Sequence, residues 1–238
     1  MSKQQKQTKI YFNKKAKNWP KKSIRNSKRG NTGIQRNQYV LEQIKKYKLS
    51  KHLDVACGSG DLSFRTSKIT RYAVGIDFSE QMIKIAKKRF QNFNLQFFCS
   101  SIFDYETEKT FDCISANGFI EYLSLNQIET FFEISFDKLS KNGLLIFGSR
   151  NRLFNLFSLN KFSQLEHRQK TFKNFYEESI SLVNLNLNKY LKLSKNKFSK
   201  VSFKQPKTGG VNVEKRHQFS PLQLVDILKK KNFRVIDI

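Results

Sequence analysis

Long apolar runs are missing. No stretch of 18 consecutive apolar residues occurs in the 238-residue chain, so no membrane-spanning helix is expected. The N-terminus is basic but has no apolar segment behind it, and it does not read as a secretory signal. Cysteine is scarce, with only Cys57, Cys99 and Cys113. An odd number without metal-ligand spacing excludes a disulfide framework and reads as reduced, packed cysteine in a cytoplasmic protein. No Cys/His cluster has the spacing of a metal site, so no metal is expected. Acids are scarce too: 19 Asp and Glu stand against 45 Lys and Arg, a formal net charge of +26. That deficit is uneven. Basic and acidic residues number 16 and 1 in residues 1–52, 11 and 12 in 53–150, and 18 and 6 in 151–238. A bias toward Lys, Asn, Ile and Phe explains a basic chain but not a neutral middle. Basic flanks around a neutral centre suit an anionic substrate or surface.

What is present centres on Leu53–Phe64. Leu53 to Ala56 is short and largely apolar, as the end of a buried parallel strand should be. Gly58-Ser59-Gly60 then gives a tight turn whose bare backbone lets a ligand approach. Leu62 and Phe64 open the next helix, whose free N–H groups point back at the glycines. A second strand, Tyr72–Asp77, ends in a carboxylate 17 residues after Gly60. An acid at that strand tip can accept both hydroxyls of a ribose. A dinucleotide fingerprint would place a third glycine at Ser63, and there is none.

Leu53-Asp54-Val55-Ala56-Cys57-Gly58-Ser59-Gly60 resembles the first motif of class I S-adenosylmethionine-dependent methyltransferases, with Ala56 in place of the first glycine. Gly75-Ile76-Asp77-Phe78-Ser79, followed by Met82, is similar to their second motif. The resemblance covers residues 36–148. It implies an α/β, Rossmann-like, doubly wound and mostly parallel sheet with helices on both faces, and S-adenosyl-L-methionine as cofactor. By the same resemblance, Asp54, Ala56, Cys57, Gly58 and Gly60 cradle the cofactor. Asp77 binds its ribose, while Phe78 and Met82 flank the adenine. Ser101 stands where relatives carry an acid for the adenine amino group, with the backbone of Ile102 beside it. Asn117 closes the fourth strand near the methionine part. Tyr11-Phe12, Ala16 and Trp19 resemble the segment that opens a capping helix in small-molecule methyltransferases. An arginine at the place of Arg36 can reach the cofactor carboxylate in relatives. Many relatives have histidine where Tyr122 stands.

Four segments follow. Residues 1–35 are a basic tail and cap helix. Residues 36–148 are the cofactor-binding core, with helices over Ser79–Asn92 and Asn126–Asn142 and strands at Leu95–Cys99, Phe111–Gly118 and Leu144–Phe147. Residues 149–218 are a helical insert, in which Phe172, Tyr176, Ile180, Val183, Leu187 and Leu191 recur at helical steps. It reads as one long amphipathic helix serving as a lid, with a dimer face or a membrane-surface helix as alternatives. Pro206–Gly210 reads as a turn with a Gly209-Gly210 hinge. Residues 219–238 bring a final helix started by Ser220-Pro221 and a sixth strand, Phe233–Ile238. The family's sheet ends in an antiparallel hairpin partner, and no sequence remains for it here.

The expected reaction is methyl transfer to a small-molecule acceptor that is anionic, lipid-linked or sugar-containing. His217 and Glu121 are candidates for removing a proton from a hydroxyl acceptor. An RNA methyltransferase gripping nucleic acid with the basic N-terminal region is an alternative, although no motif for flipped bases is present. A nicotinamide oxidoreductase and a non-catalytic binding module complete the alternatives. Peripheral membrane contact is a further expectation.

Overall fold

Alternation of apolar strands with glycine- and serine-started helices builds a layered α/β structure. The computed structural model describes residues 3–20, 32–193 and 217–238. In chain order it has α1 (Lys3–Lys15), a 3-10 turn Ala16–Asn18, α2 (Thr32–Lys46), β1 (Lys51–Val55), α3 (Asp61–Ser67), β2 (Tyr72–Asp77) and α4 (Glu80–Arg89). Then come β3 (Leu95–Cys99), β4 (Phe111–Ala116), a 3-10 turn Ile120–Tyr122, α5 (Leu125–Lys138) and β5 (Leu139–Phe147). The remainder is a 3-10 segment Arg152–Phe157, α6 (Lys161–Arg168), α7 (Phe172–Asn184), α8 (Leu187–Lys192) and α9 (Pro221–Lys230).

The five strands form one sheet in the order β3-β2-β1-β4-β5, and every pairing is parallel. The order reverses between β1 and β4. That reversal opens a crevice at the carboxyl ends of those strands, where α/β folds bind ligands. Side chains alternate across the sheet. Leu53, Val55, Val74, Ile76, Ile114 and Ala116 pack on Ile128, Phe131 and Phe132 of α5 and on Leu224 and Leu228 of α9. On the opposite face Val40, Leu41 and Ile44 of α2 pack with Leu62 and Cys113. Helix α4 covers the same face through Ile83 and Ala86 against Phe97. Ser79 caps α4 by accepting the Met82 N–H at 3.2 Å. Ser124 and Ser220 each close a reciprocal capping box with the Gln three residues on.

Three expectations are corrected. Phe233–Ile238 is not a sixth strand: it carries no ladder. Its side chains hold it instead. The Phe233 ring meets Phe132 and Phe136 of α5 at 6.3 and 5.5 Å, and Asp237 accepts the Tyr39 hydroxyl of α2 at 2.6 Å. The segment therefore bridges the two helical layers. Second, α5 ends at Lys138 rather than Asn142. Leu139 turns extended to pair with Phe111, while Cys113 pairs with Leu144, so residues 140–143 bulge out of β5. Asn142 does take a left-handed φ of 63°, but within that bulge. Third, the long insert helix breaks at Leu185, which is extended, and Asn186 caps a new helix by accepting the Lys189 N–H at 3.0 Å. The Pro206–Gly210 turn lies outside the described residues. Among those described, no helix is long and apolar enough to cross a membrane.

Candidate functional site

The turn after β1 is built by left-handed residues. Ala56, Gly58 and Gly60 have φ of 56°, 54° and 82°. Ala56 holds that conformation despite its Cβ, which disfavours it by about 1–2 kcal/mol. The Cys57 N–H donates to Ile76 O at 3.0 Å and the Gly60 N–H to Cys57 O at 3.0 Å, so the turn is tied to β2 and closed on itself. The Gly58 N–H donates to Asp77 Oδ2 at 3.0 Å, and the Ser79 N–H donates to Oδ1 at 2.8 Å. Glycine turn and carboxylate thus meet across the switch point. Two donors leave about half of the carboxylate's acceptor sites for a ligand. Burial raises the Asp77 carboxyl to about 6, against the lowering effect of those two N–H groups.

A cavity of about 390 Å³ opens over this pair. Asp54, Ala56, Cys57, Gly58, Asp77, Phe78, Met82, Ser101, Ile102 and Asn117 all line it. So do Arg36 and Glu121. Met82 is both wall and core, 1% exposed. The Ser101 hydroxyl accepts the Phe103 N–H at 3.2 Å and keeps its own proton for a ligand. Asn117 donates to Asn37 Oδ1 at 3.2 Å. The guanidinium of Arg36 lies against Gly118 and Gly148, beyond the ends of β4 and β5.

Two expected site residues lie elsewhere. Gly60 is not on the wall; a Cβ there would come within 2.7 Å of the Phe97 ring and 3.0 Å of Ala86. Its lack of a side chain serves packing. His217 is not on the wall either. Its ring stacks on Phe219 at 5.9 Å, and its backbone N–H donates to the Glu121 carbonyl at 2.7 Å, behind the wall. The space that Ser63 would deny a dinucleotide turn is recovered on β2: a Cβ on Gly75 would meet Ser63 Oγ at 2.7 Å.

The lid expected of the insert is not over the cavity. Among the described residues the insert contributes nothing to the wall. The N-terminal segment does, through Gln5, Thr8, Phe12 and Trp19. Phe12 meets Trp19 and Tyr122 edge to face, at 5.4 and 5.5 Å. Gln4 Nε2 donates to Tyr122 O at 2.8 Å, and Lys9 pairs with Glu80 at 2.8 Å. Helix α1 therefore straddles the crevice from Tyr122 to α4.

Beneath the cavity floor is a polar chain that the motifs do not announce. Asp54 accepts Ser63 Oγ at 2.7 Å and Ser115 Oγ at 3.0 Å. The His52 ring lies between Ser115 Oγ and Thr66 Oγ1, both at 2.8 Å. Burial lowers His52 to about 3; burial first, with the nearby Asp77 charge adding to it, lifts Asp54 to about 7 against the hydrogen bonds from Ser63 and Ser115. The available signal was a polar residue at every second place in a buried strand.

Residues 53–143 match a family model described as a methyltransferase domain. A protein of Geobacillus sp. (strain WCH70), whose name assigns it provisionally to the methyltransferases, is 34% identical over 80 residues, 33% of this chain and 32% of that one. The malonyl-[acyl-carrier protein] O-methyltransferase of Bacillus anthracis is 32% identical over 74 residues, 30% of this chain and 28% of that one. The chain thus spans about a third or less of these curated relatives. The solved DhpI–SAM–HEP complex shares the fold, with a TM-score of 0.55 and 16% identity over 68% of this chain and 75% of that one. A parallel sheet reversed at β1/β4 and an acid-tipped β2 bonded to the glycine turn thus coincide with the matched segment, and residues 53–143 are a methyltransferase domain in a Rossmann-like α/β fold.

Proposed function

We propose that the protein transfers a methyl group from S-adenosyl-L-methionine to a small-molecule acceptor. The observation that carries this reading is the Gly58–Asp77 pair, 3.0 Å apart under the cavity. The residues fit the cofactor. Asp77 retains acceptor capacity for ribose hydroxyls, with Phe78, Met82 and Ile102 beside it for a flat base. Gly58 offers bare backbone, because a Cβ there would already touch Trp19 at 3.4 Å. Arg36 supplies a cation for a carboxylate at the other end, and Asp54 an acceptor for an ammonium group.

The bound cofactor supplies an activated methyl that leaves its sulfur as the acceptor bond forms, the electron pair staying on sulfur. The chain's work is alignment and exclusion of water, which can contribute about 7–11 kcal/mol in favourable cases. The aromatic group of Phe12, Trp19 and Tyr122 shields the crevice from above. An acceptor enters beside Asn117, Phe119 and Glu121, and Glu121, on the wall, is the candidate for taking a proton from a hydroxyl. The wall carries Asp54, Asp61, Asp77 and Glu121 against Arg36. Anionic parts of an acceptor, including a sugar or lipid-linked phosphate, therefore keep clear of this acidic wall and face the basic N-terminal segment.

Titration calorimetry with S-adenosylhomocysteine tests the cofactor site. Asp77→Ala should weaken binding by about 1.5–3 kcal/mol, the worth of hydrogen bonds to a charged group. Unchanged affinity removes Asp77 from the ribose. Preference for NAD over S-adenosylhomocysteine overturns the reading. A labelled-methyl screen against cell extract then identifies the acceptor class, and uptake of label only by RNA would replace the small-molecule acceptor.

A further inference from the structure

The insert is anchored on its inner side. Leu153, Leu156 and Phe175 bury one another, and the Arg152–Glu166 ion pair beside them is 1% exposed on each partner. Its outer side is apolar and open. On α7, Phe172, Tyr176, Ile180 and Val183 are 39, 50, 41 and 83% exposed. Steps of four, four and three residues put them on one stripe. The buried residues Phe175 and Glu178 lie about a third of a turn round the helix, so the stripe is not a loosened core face. Phe154, Phe157 and Leu159 add 72, 69 and 90% exposed side chains to the same insert. An exposed apolar stripe along one helix face, with further exposed apolar side chains in the same insert, marks an interaction site.

Charge identifies the occupant. Lys161, Arg168, Lys170, Lys173, Lys189 and Lys192 of the insert are all exposed. Of its three described acids, Glu166 is held by Arg152 and Glu178 is buried, which leaves Glu177 at the surface. An apolar stripe rimmed by cations complements an anionic bilayer: aliphatic and aromatic groups enter the acyl boundary and lysines meet headgroups. RNA offers the phosphates but gives no partner to Ile180, Val183 or Leu159, which are not stacking platforms. A second copy of this chain would bring the same positive face and repel it.

We propose that the α7 stripe and its lysine rim dock the protein peripherally on anionic membranes. The proposal needs nothing from the cavity and stands apart from the methyl-transfer reading. The test sediments the full chain with phosphatidylcholine vesicles, with or without about a third phosphatidylglycerol, at low and high salt. Binding should require phosphatidylglycerol and weaken with salt. Ile180→Ser with Val183→Ser should weaken it about tenfold or more, and Lys170→Glu with Lys173→Glu comparably. Affinity for S-adenosylhomocysteine should be unchanged in both variants, which also reports that they are folded. If the double serine variant melts early, Val183→Ser alone, at the most exposed position of the stripe, carries the test. Four results overturn the proposal: no binding to anionic vesicles at low salt, binding undiminished by the serine changes, a dimer in sedimentation velocity that those changes dissociate, or RNA binding that tracks the lysines while vesicle binding does not.

Discussion

Asp54 can be neutral or charged near physiological pH, and the hydrogens beneath it rearrange with its state. Ser115 has one proton. When Asp54 is ionised, Ser115 donates to it, so His52 must present Nε2–H to Ser115. Nδ1 is then an acceptor, and Thr66 turns its proton onto it from Ser63 O, 2.9 Å away. When Asp54 is protonated it can donate to Ser115, and the chain reverses. The stability consequence has a definite sign. An acid raised from 3.8 to about 7 favours the folded, ligand-free protein below its unfolded value, and that contribution is lost as pH rises through about 7. Asp77, raised to about 6, acts in the same sense over a lower window. His52, lowered to about 3, acts oppositely: its contribution is present above about 6.5 and is lost as pH falls toward 3. Asp54→Asn isolates the first effect. In thermal melts without ligand it should be more stable than the parent at pH 8 by about 1–3 kcal/mol, with the gap narrowing toward pH 4. A gap that ignores pH would mean another group titrates. Asp77 and Gly58 were legible in the sequence because spacing and residue type coincide. The His52–Ser115 link was not, because nothing in sequence says which strands are neighbours.

The strands β1 to β4 were legible as elements because each is a short apolar run punctuated by glycine or a capping residue. The insert was not, because helical period survives a break: Leu187 and Leu191 keep step with α7 although Leu185 is extended between them. What orders the insert is polar and invisible to a hydrophobic pattern. Arg152 donates to Glu166 at 2.8 and 2.9 Å and lies 4.8 Å over the Phe175 ring. Asn155 donates to Glu166 at 2.9 Å and to Gln218 at 2.8 Å, which ties the insert to the segment entering α9. Taking one charge away strands the other in the interior. Glu166→Ala should therefore cost about 3–5 kcal/mol in urea denaturation. Arg152→Met combined with Glu166→Leu should lose clearly less, since neither charge then needs desolvation. Equal losses would show that the pair's hydrogen bonds to Asn155 and Thr171, rather than its charge balance, hold the insert.

At the scale of the whole molecule, the division into basic flanks and a neutral centre was readable from composition, but whether the insert covers the cavity was not. Helical pattern alone cannot tell a lid from an outward-facing helix; contact decides, and it assigns the cap to α1. That cap is lightly held. Thr8 is the buried residue of α1, and the Lys9–Glu80 pair is solvent-exposed and contributes little. Its grip comes from Phe12 on Tyr122, Trp19 on the glycine turn, the Gln4 bond to Tyr122 O and the Ser79 hydroxyl donating to Asn13 Oδ1. A cap of this kind opens for exchange and is tightened by whatever fills the cavity beneath it. Ligand at about 100 times its dissociation constant should stabilise the parent by about 2.7 kcal/mol. Trp19→Ala leaves the Gly58–Asp77 pair in place but removes the ring above it. The expected result is an S-adenosylhomocysteine dissociation rate raised about tenfold with association unchanged or faster, and a smaller melting shift at the same ligand concentration. Slower association with unchanged dissociation would instead make the cap a docking platform for incoming ligand. An effect on neither rate would leave α1 a packing element, with exclusion of water falling to the core's own walls.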